Sequence, residues 1–388
     1  VSRFDQIIDR RNTNSVKWDT KGIFGAEDVL PMWVADMDFP TPDEVIEALK
    51  ARANHGILGY TMPGSDTEAA IRGWLKKRND WEIDSSSITY SPGIVTALSM
   101  AIQAFTGPED KIVIQPPVYY PFFEMAKKHK REVLYNDLLL TSDNRYDIDF
   151  EDLEEKLSDK MTKLFIFCNP HNPSGRVWRK EELIKIGELC VKHNVILLSD
   201  DIHSDLVLFD NHYTPIASIN ESIANQTITC IAPSKTFNLA GLQTSVVLIK
   251  NDTLRRKFNA VQELYGLMTV NTFGADAMEA AYKHGEKWLD ELIHYLEDHI
   301  LFIENYIKEN LPEVKVTRPD ASYLVWFDVR YLQKSDEEIM TLLLEKGKLA
   351  LEPGSKYGEI GAGFLRMNIA CPRETLKDGL DRFVKALK

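Results

Sequence analysis

Cysteine is scarce in this 388-residue chain, and its four copies, Cys168, Cys190, Cys230 and Cys371, stand far apart with no C-x-x-C pair. That spacing excludes a zinc ribbon or a dithiol redox motif and leaves buried thiols in a reducing compartment as the expectation. Long apolar runs are missing too. The stretches at 195–198 and 246–249 reach only a few residues, against the ~20 that a membrane-spanning helix needs. Residues 1–11 already carry Asp5, Asp9, Arg10 and Arg11 and contain no apolar core of signal-peptide length, so a soluble, cytoplasmic protein is expected. Positive charge is in deficit: 46 Lys and Arg face 59 Asp and Glu, a formal net charge of −13. So acidic a chain gains nothing from counterion release, which argues against nucleic acid as a partner and leaves room only for a local basic pocket. Internal repeats, low-complexity tracts and flexible linkers are absent as well.

What is present is ordinary globular composition, 44% hydrophobic and 27% charged, with length for two to three domains at ~150 residues each. Short β-branched runs at 111–114, 163–168, 195–199, 227–231 and 245–249 alternate with amphipathic stretches of helical length. This order predicts βαβ units and an α/β fold with a mostly parallel sheet. Thr41-Pro42 reads as an N-cap followed by proline at the first helical position, Pro121 as the opening of a helix, and 179–193 as another. Helical periodicity over 275–310 predicts one unusually long helical span ending before Pro312.

Ligands in parallel α/β sheets bind beyond the carboxyl ends of strands, and three of the predicted strands end in chemically loaded turns. Ser199-Asp200-Asp201-Ile202-His203 follows one run; acids there can also merely cap a helix. Asn169-Pro170-His171-Asn172-Pro173-Ser174-Gly175 follows another, a forced turn in which two asparagines flank a histidine. Ser234-Lys235-Thr236-Phe237-Asn238 follows the third, and Lys235 is boxed between an apolar strand and Phe237-Asn238-Leu239. Partial burial lowers a lysine's pKa and equips it to form a Schiff base. An acid, an amide and an amine are thus offered at three strand ends.

These motifs, in this order and at these separations, resemble the fold-type I pyridoxal-phosphate enzymes, the aspartate aminotransferase superfamily. The resemblance implies that Lys235 holds pyridoxal 5′-phosphate covalently, Asp200 pairs with its pyridinium nitrogen, Asn172 meets the ring hydroxyl, His203 lies at the same edge and Tyr119 stacks on the ring. It also implies a phosphate site at Gly93, Ile94 and Val95, where a loop opens into an apolar helix, with Ser234 beside it. Tyr60 would reach the phosphate of a second subunit, making a homodimer. Arg366 would grip the substrate α-carboxylate with its planar fork, in a pocket shared with Asn172, Ala35 and Tyr120. Lys235, Tyr119 and Arg366 would be the catalytic set, and no metal is implied. The implied domains are a large cofactor-binding one, 46–284, and a small α/β one from both ends, 1–45 and 285–388.

Two positions depart from the aminotransferase pattern. Gln243 stands eight residues after the lysine, where an arginine for the phosphate is frequent, and Ala232 stands where a phosphate-binding serine is frequent. Together with Pro31-Met32-Trp33-Val34-Ala35-Asp36-Met37-Asp38-Phe39 and Leu58-Gly59-Tyr60, these departures resemble the bacterial C–S lyases of the MalY, PatB and cystalysin type. The resemblance implies α,β-elimination on cystathionine, cysteine or a related sulfur amino acid. An aminotransferase of the same fold is the alternative, and a cofactor-binding protein that also holds a regulator protein is a third reading.

Overall fold

The computed structural model describes residues 2–19, 24, 25 and 28–388. After a short helical turn at Arg3–Asp5 and a two-residue strand at Leu30–Pro31, the elements that frame the site begin with helices α1 (Asp43–His55) and α2 (Ser65–Asn79), strand β1 (Ile88–Ser91), helix α3 (Ile94–Phe105) and strand β2 (Lys111–Ile114). Then come α4 (Pro121–Lys128), β3 (Glu132–Tyr135), β4 (Thr162–Cys168), α5 (Lys180–Lys192), β5 (Ile196–Asp200) and β6 (Thr227–Ile231). A single helical turn, α6 (Pro233–Thr236), precedes β7 (Ser245–Ile249), α7 (Asp252–Leu264), α8 (Thr272–His284) and the long α9 (Glu286–Asn310). The chain finishes with β8 (Lys315–Thr317), β9 (Leu324–Asp328), β10 (Glu352–Pro353), β11 (Phe364–Asn368) and α10 (Arg373–Leu387).

Seven strands form the main sheet in the order β1-β7-β6-β5-β4-β2-β3. Neighbours from β6 to β3 pair in parallel, while β7 is antiparallel to both β6 and β1. Strands β6 and β7 are buried at every residue; β7 accordingly reads as a near-continuous apolar run from Val246 to Ile249, whereas β6 buries Thr227 and Thr229 among its apolar residues. The expected mostly parallel sheet is present; β1 was not expected from the sequence, because Ile88-Thr89-Tyr90-Ser91 is short and half polar. Strands β8, β9, β11 and β10 form a second, antiparallel sheet of four. No helix among the described residues is long and apolar enough to cross a membrane.

Two helix expectations are corrected. The helix after Thr41-Pro42 begins at Asp43 with Pro42 itself as cap, and the Thr41 hydroxyl makes no capping bond. The single span expected over 275–310 is two helices that meet at Gly285, where a Cβ would stand 2.4 Å from Phe237 Cε1 and 2.6 Å from the Ala281 carbonyl oxygen. Only glycine permits that approach, and it wedges the elbow against the residue two places after Lys235. The expected opening at Pro121 and the helix flanked by Arg179 and His193 stand as read.

Candidate active site

Asn172, Asp200 and Lys235 all lie just beyond or at the carboxyl ends of adjacent parallel strands, β4, β5 and β6, so sheet register carries them to one place. They line a cavity of about 460 Å³, within the range of small-molecule sites. Lys235 is presented by α6, which starts on Pro233 and is pinned from below by Asp205: that buried carboxylate accepts from Thr236 Oγ1 at 2.8 Å and from Trp74 Nε1 at 2.9 Å. Nζ of Lys235 donates to the Ala35 carbonyl oxygen at 2.6 Å. Protein surrounds the amine, and this burial, reinforced by the Arg366 charge, lowers its pKa to about 8, while Asp36 and Asp200 pull the other way. An amine so tuned still carries its proton for the most part at pH 7, but its neutral fraction far exceeds that of an ordinary lysine and can act as nucleophile or base.

Burial raises the Asp200 carboxyl to about 7, against a bond from the Ile202 N–H at 3.3 Å and the attraction of Lys235. A buried carboxylate held at this value has room to be pulled down by a cationic partner in the cavity. His203 faces the same space: burial first, then the charges of Lys235 and Arg366, push it down to about 3, so it is neutral, and its Nδ1 has no partner among the described residues. Arg366 is 3% exposed and donates through Nη1 to Asn172 Oδ1 at 3.2 Å and through Nη2 to the Trp33 carbonyl at 2.9 Å. Its Nε is unpartnered, and no carboxylate stands within ion-pair distance of it among the described residues. A buried guanidinium without a counter-charge is costly unless a carboxylate ligand completes it.

Tyr119 is tied to this frame by its N–H, which donates to the Asn172 carbonyl at 3.1 Å, and burial holds its hydroxyl well above the usual tyrosine range. Gly93 caps α3 with no side-chain bond to the first N–H groups of that helix, leaving the amides around Ile94 and Val95 open toward the cavity they line. Ser234, Tyr120 and Ala35 also line it. Gln243, with a left-handed backbone at φ 49°, stands 3.5 Å from where a Gly93 Cβ would be, so its amide and no cation faces the helix start. Tyr60 does not line this cavity; it is 98% exposed.

Other lining residues carried no usable signal. Val16, Thr96, Ile202, Thr244 and Glu352 border the cavity; Thr96 lies in the same loop–helix stretch as Gly93 and Ile202 within the turn between Asp200 and His203, while Val16, Thr244 and Glu352 sit in segments whose approach depends on the fold. Asp205 has polar partners 131 and 31 residues away, a spacing no local pattern exposes.

This donor set fits pyridoxal 5′-phosphate. An amine with a lowered pKa, a carboxyl pushed up by burial, an unpartnered imidazole nitrogen and a helix N-terminus free of side-chain caps surround one cavity. They match in turn an aldehyde, a pyridine nitrogen, a polar ring edge and a phosphate.

Residues 27–383 match the family described as aminotransferase class I and II, and the chain belongs to it. Among curated relatives it is 52% identical over 385 residues to cystathionine beta-lyase PatB of Bacillus subtilis (strain 168), covering 99% of both chains. It is 32% identical over 388 residues to protein MalY of Escherichia coli (strain K12), covering 99% of this chain and 98% of that one. Among solved structures, cystalysin from Treponema denticola, which contains a pyridoxal 5′-phosphate cofactor, superposes with a TM-score of 0.96 at 37% identity, over 99% of this chain and 98% of that one.

Proposed function

We propose that the protein is a pyridoxal-phosphate-dependent carbon–sulfur β-lyase that takes L-amino acids bearing sulfur on Cβ, cystathionine and cysteine among them, and yields pyruvate, ammonia and a thiol or sulfide. The observation that carries this reading is the conjunction of the Lys235 amine with the carboxylate-seeking Arg366 in one cavity. The printed names of the similar proteins, a cystathionine beta-lyase and a cystalysin, support the sulfur chemistry.

Bound pyridoxal phosphate supplies an electron sink for the pair released when the substrate Cα–H bond breaks. In this reading Lys235 holds the cofactor, Asp200 carries the charge partner of its ring nitrogen, Asn172 and His203 meet its polar edge, Tyr119 covers one face, and the Gly93-Ile94-Val95 amides with Ser234 hold the phosphate. Arg366 fixes the substrate carboxylate through a two-point contact, which sets the rotation about the bond to Cα. Lys235, displaced by the substrate amine, takes the Cα proton; its lowered pKa suits that task. Departure of the thiolate from Cβ then competes with return of the proton, and Lys235 holds that proton.

The functional unit in this reading is a homodimer. Ile57, Leu58, Tyr60 and Met62 are exposed beside Leu264, Tyr265 and Met268. The two segments are joined by a bridge between Thr61 and Val270 and by a 2.7 Å bond between the Thr61 and Thr272 hydroxyls. An apolar patch of this make-up calls for a partner, and Tyr60 at its centre would complete the neighbour's phosphate site. The composition supports a cytoplasmic setting.

The deciding experiment offers L-cystathionine or L-cysteine with no keto acid. Sustained release of pyruvate and ammonia over many turnovers is expected. A single half-reaction that resumes only on addition of 2-oxoglutarate or pyruvate would establish an aminotransferase instead.

A further inference from the structure

The segment 33–38 forms the wall of the cavity over Lys235: Trp33, Val34 and Ala35 line it, and the Ala35 carbonyl accepts from both Lys235 Nζ, at 2.6 Å, and the Tyr323 hydroxyl, at 3.0 Å. Apart from a bond of the Asp36 N–H to the Val34 carbonyl at 3.0 Å, the wall is held from outside. Behind it lies a cluster of two cations and two carboxylates that the reaction does not use. Arg10 Nη1 and Nη2 donate to Asp36 Oδ1 and Oδ2 at 2.8 and 3.0 Å, and Nη1 also reaches Asp38 Oδ1 at 2.8 Å and the Met37 carbonyl at 3.1 Å. Lys17, 1% exposed, donates to Asp38 Oδ2 at 2.9 Å, and Trp18 Nε1 donates to Asp38 Oδ1 at 2.8 Å. The same N-terminal arm places Val16 at the cavity mouth and receives Trp33 Nε1 on the Lys17 carbonyl at 3.4 Å.

We propose that Arg10 is a positioning residue for the active site: its fork across Asp36, Met37 and Asp38 fixes where the Ala35 carbonyl, and with it the free Lys235 amine, stands. The inference rests on the reading of Lys235 as the reacting amine. A bidentate guanidinium–carboxylate pair fixes direction as well as distance, and here it grips the residue next to the carbonyl that holds the amine. It also has an electrical side. The charged or titratable groups that act on Lys235 are Arg366 from β11, Asp200 from β5 and Asp36 from the wall, with the neutral His203 beside them. Arg10 neutralises Asp36, so its loss leaves that carboxylate free to raise the lysine's proton affinity.

The test uses the full-length protein stripped of cofactor, so that it stands or falls apart from the lyase reading. Amide exchange is followed over 33–38 and, as reference, over β4, β5 and β6, in Arg10→Met and Arg10→Lys; the pH midpoint for capture of added pyridoxal 5′-phosphate is recorded in each. Exchange at 33–38 is expected to quicken by about tenfold or more in Arg10→Met with the sheet unchanged, because local opening is governed by the bonds that hold the segment. The capture midpoint should move to higher pH in Arg10→Met and return in Arg10→Lys, which restores the charge without the full fork. A wall that is merely structural would loosen without moving that midpoint. Unchanged exchange at 33–38, or a midpoint that does not move in Arg10→Met, overturns the proposal. If Arg10→Met loosens the sheet as well, Arg10→Lys decides: faster exchange confined to 33–38 supports the proposal, and wild-type exchange there overturns it.

Discussion

The floor of the cavity and its wall are built on opposite principles. On the floor, Asn172, Asp200 and Lys235 are delivered by three neighbouring strands whose register is set by backbone pairing along their whole length. The wall at 33–38 belongs to no extended ladder; it hangs from side chains remote in sequence, Asn238 holding Met37 and Phe39, Asn368 holding Val34 and Asp36, Arg366 holding Trp33. On the floor, therefore, a substitution changes chemistry and leaves geometry standing. In the wall it changes geometry, and chemistry suffers second.

The largest effect expected is on the floor. Asp200→Asn keeps the shape of the carboxyl but removes the charge that a cationic ring nitrogen would need, and the loss of one partner of a buried pair corresponds to a fall in kcat of roughly 10²- to 10³-fold. Steady-state kinetics beside circular dichroism checks this: a large loss of rate with an unaltered fold supports the contrast, whereas a collapsed fold breaks it.

Next comes the support behind the wall. His299 of α9 donates through Nε2 to the Cys371 carbonyl at 2.9 Å, and the adjoining Ala370 carbonyl accepts the Asp38 N–H at 2.9 Å. Burial, with the Arg373 charge acting the same way, lowers its pKa from 6.5 to about 4. The unfolded chain therefore takes up the proton first, so the stability that neutral His299 contributes is complete above pH 6.5 and is lost as pH falls toward 4. His299→Gln should escape roughly 2 to 3 kcal/mol of that loss at pH 4.5. Urea midpoints of variant and wild type at pH 7 and pH 4.5 measure it; an equal acid loss in both would remove His299 from the account.

The smallest effect tests a group that belongs to neither part of its own cavity. Tyr60→Phe deletes one exposed hydroxyl, and if that hydroxyl bonds a neighbour's phosphate, cofactor affinity falls by about 1 kcal/mol or somewhat more. Equilibrium dialysis reads that change, with sedimentation alongside; a fully active monomer would show the site to be complete within one chain.

The floor was legible in the sequence for a physical reason. Strands buried on both faces read as apolar or β-branched runs, and the residues they aim into a cavity come next along the chain, so Asn172, Asp200, His203 and Lys235 could be named from neighbours within a few positions. Arg366 lies alone in a late apolar strand, and only its likeness to a familiar pattern marked it. The wall was named as a motif, but not what suspends it, since Arg10 is 26 residues from Asp36 and Asn368 more than 330 from the carbonyls it binds. Asp205 escaped for the same reason. The break at Gly285 escaped because the periodicity is helical on both sides, and the reason for the glycine is the ring of Phe237, 48 positions earlier.

That shared ring has a consequence for anyone recombining this scaffold. Because the α8–α9 elbow is seated directly on Phe237, the junction and the segment that carries Lys235 form one interlocking part with no clearance between them. A chimera that takes the C-terminal third from one parent and residues 232–241 from another would have to match at that contact and at the pairs the Phe237 ring makes with Tyr282 and Trp288. The two pieces should be exchanged together, as one cassette.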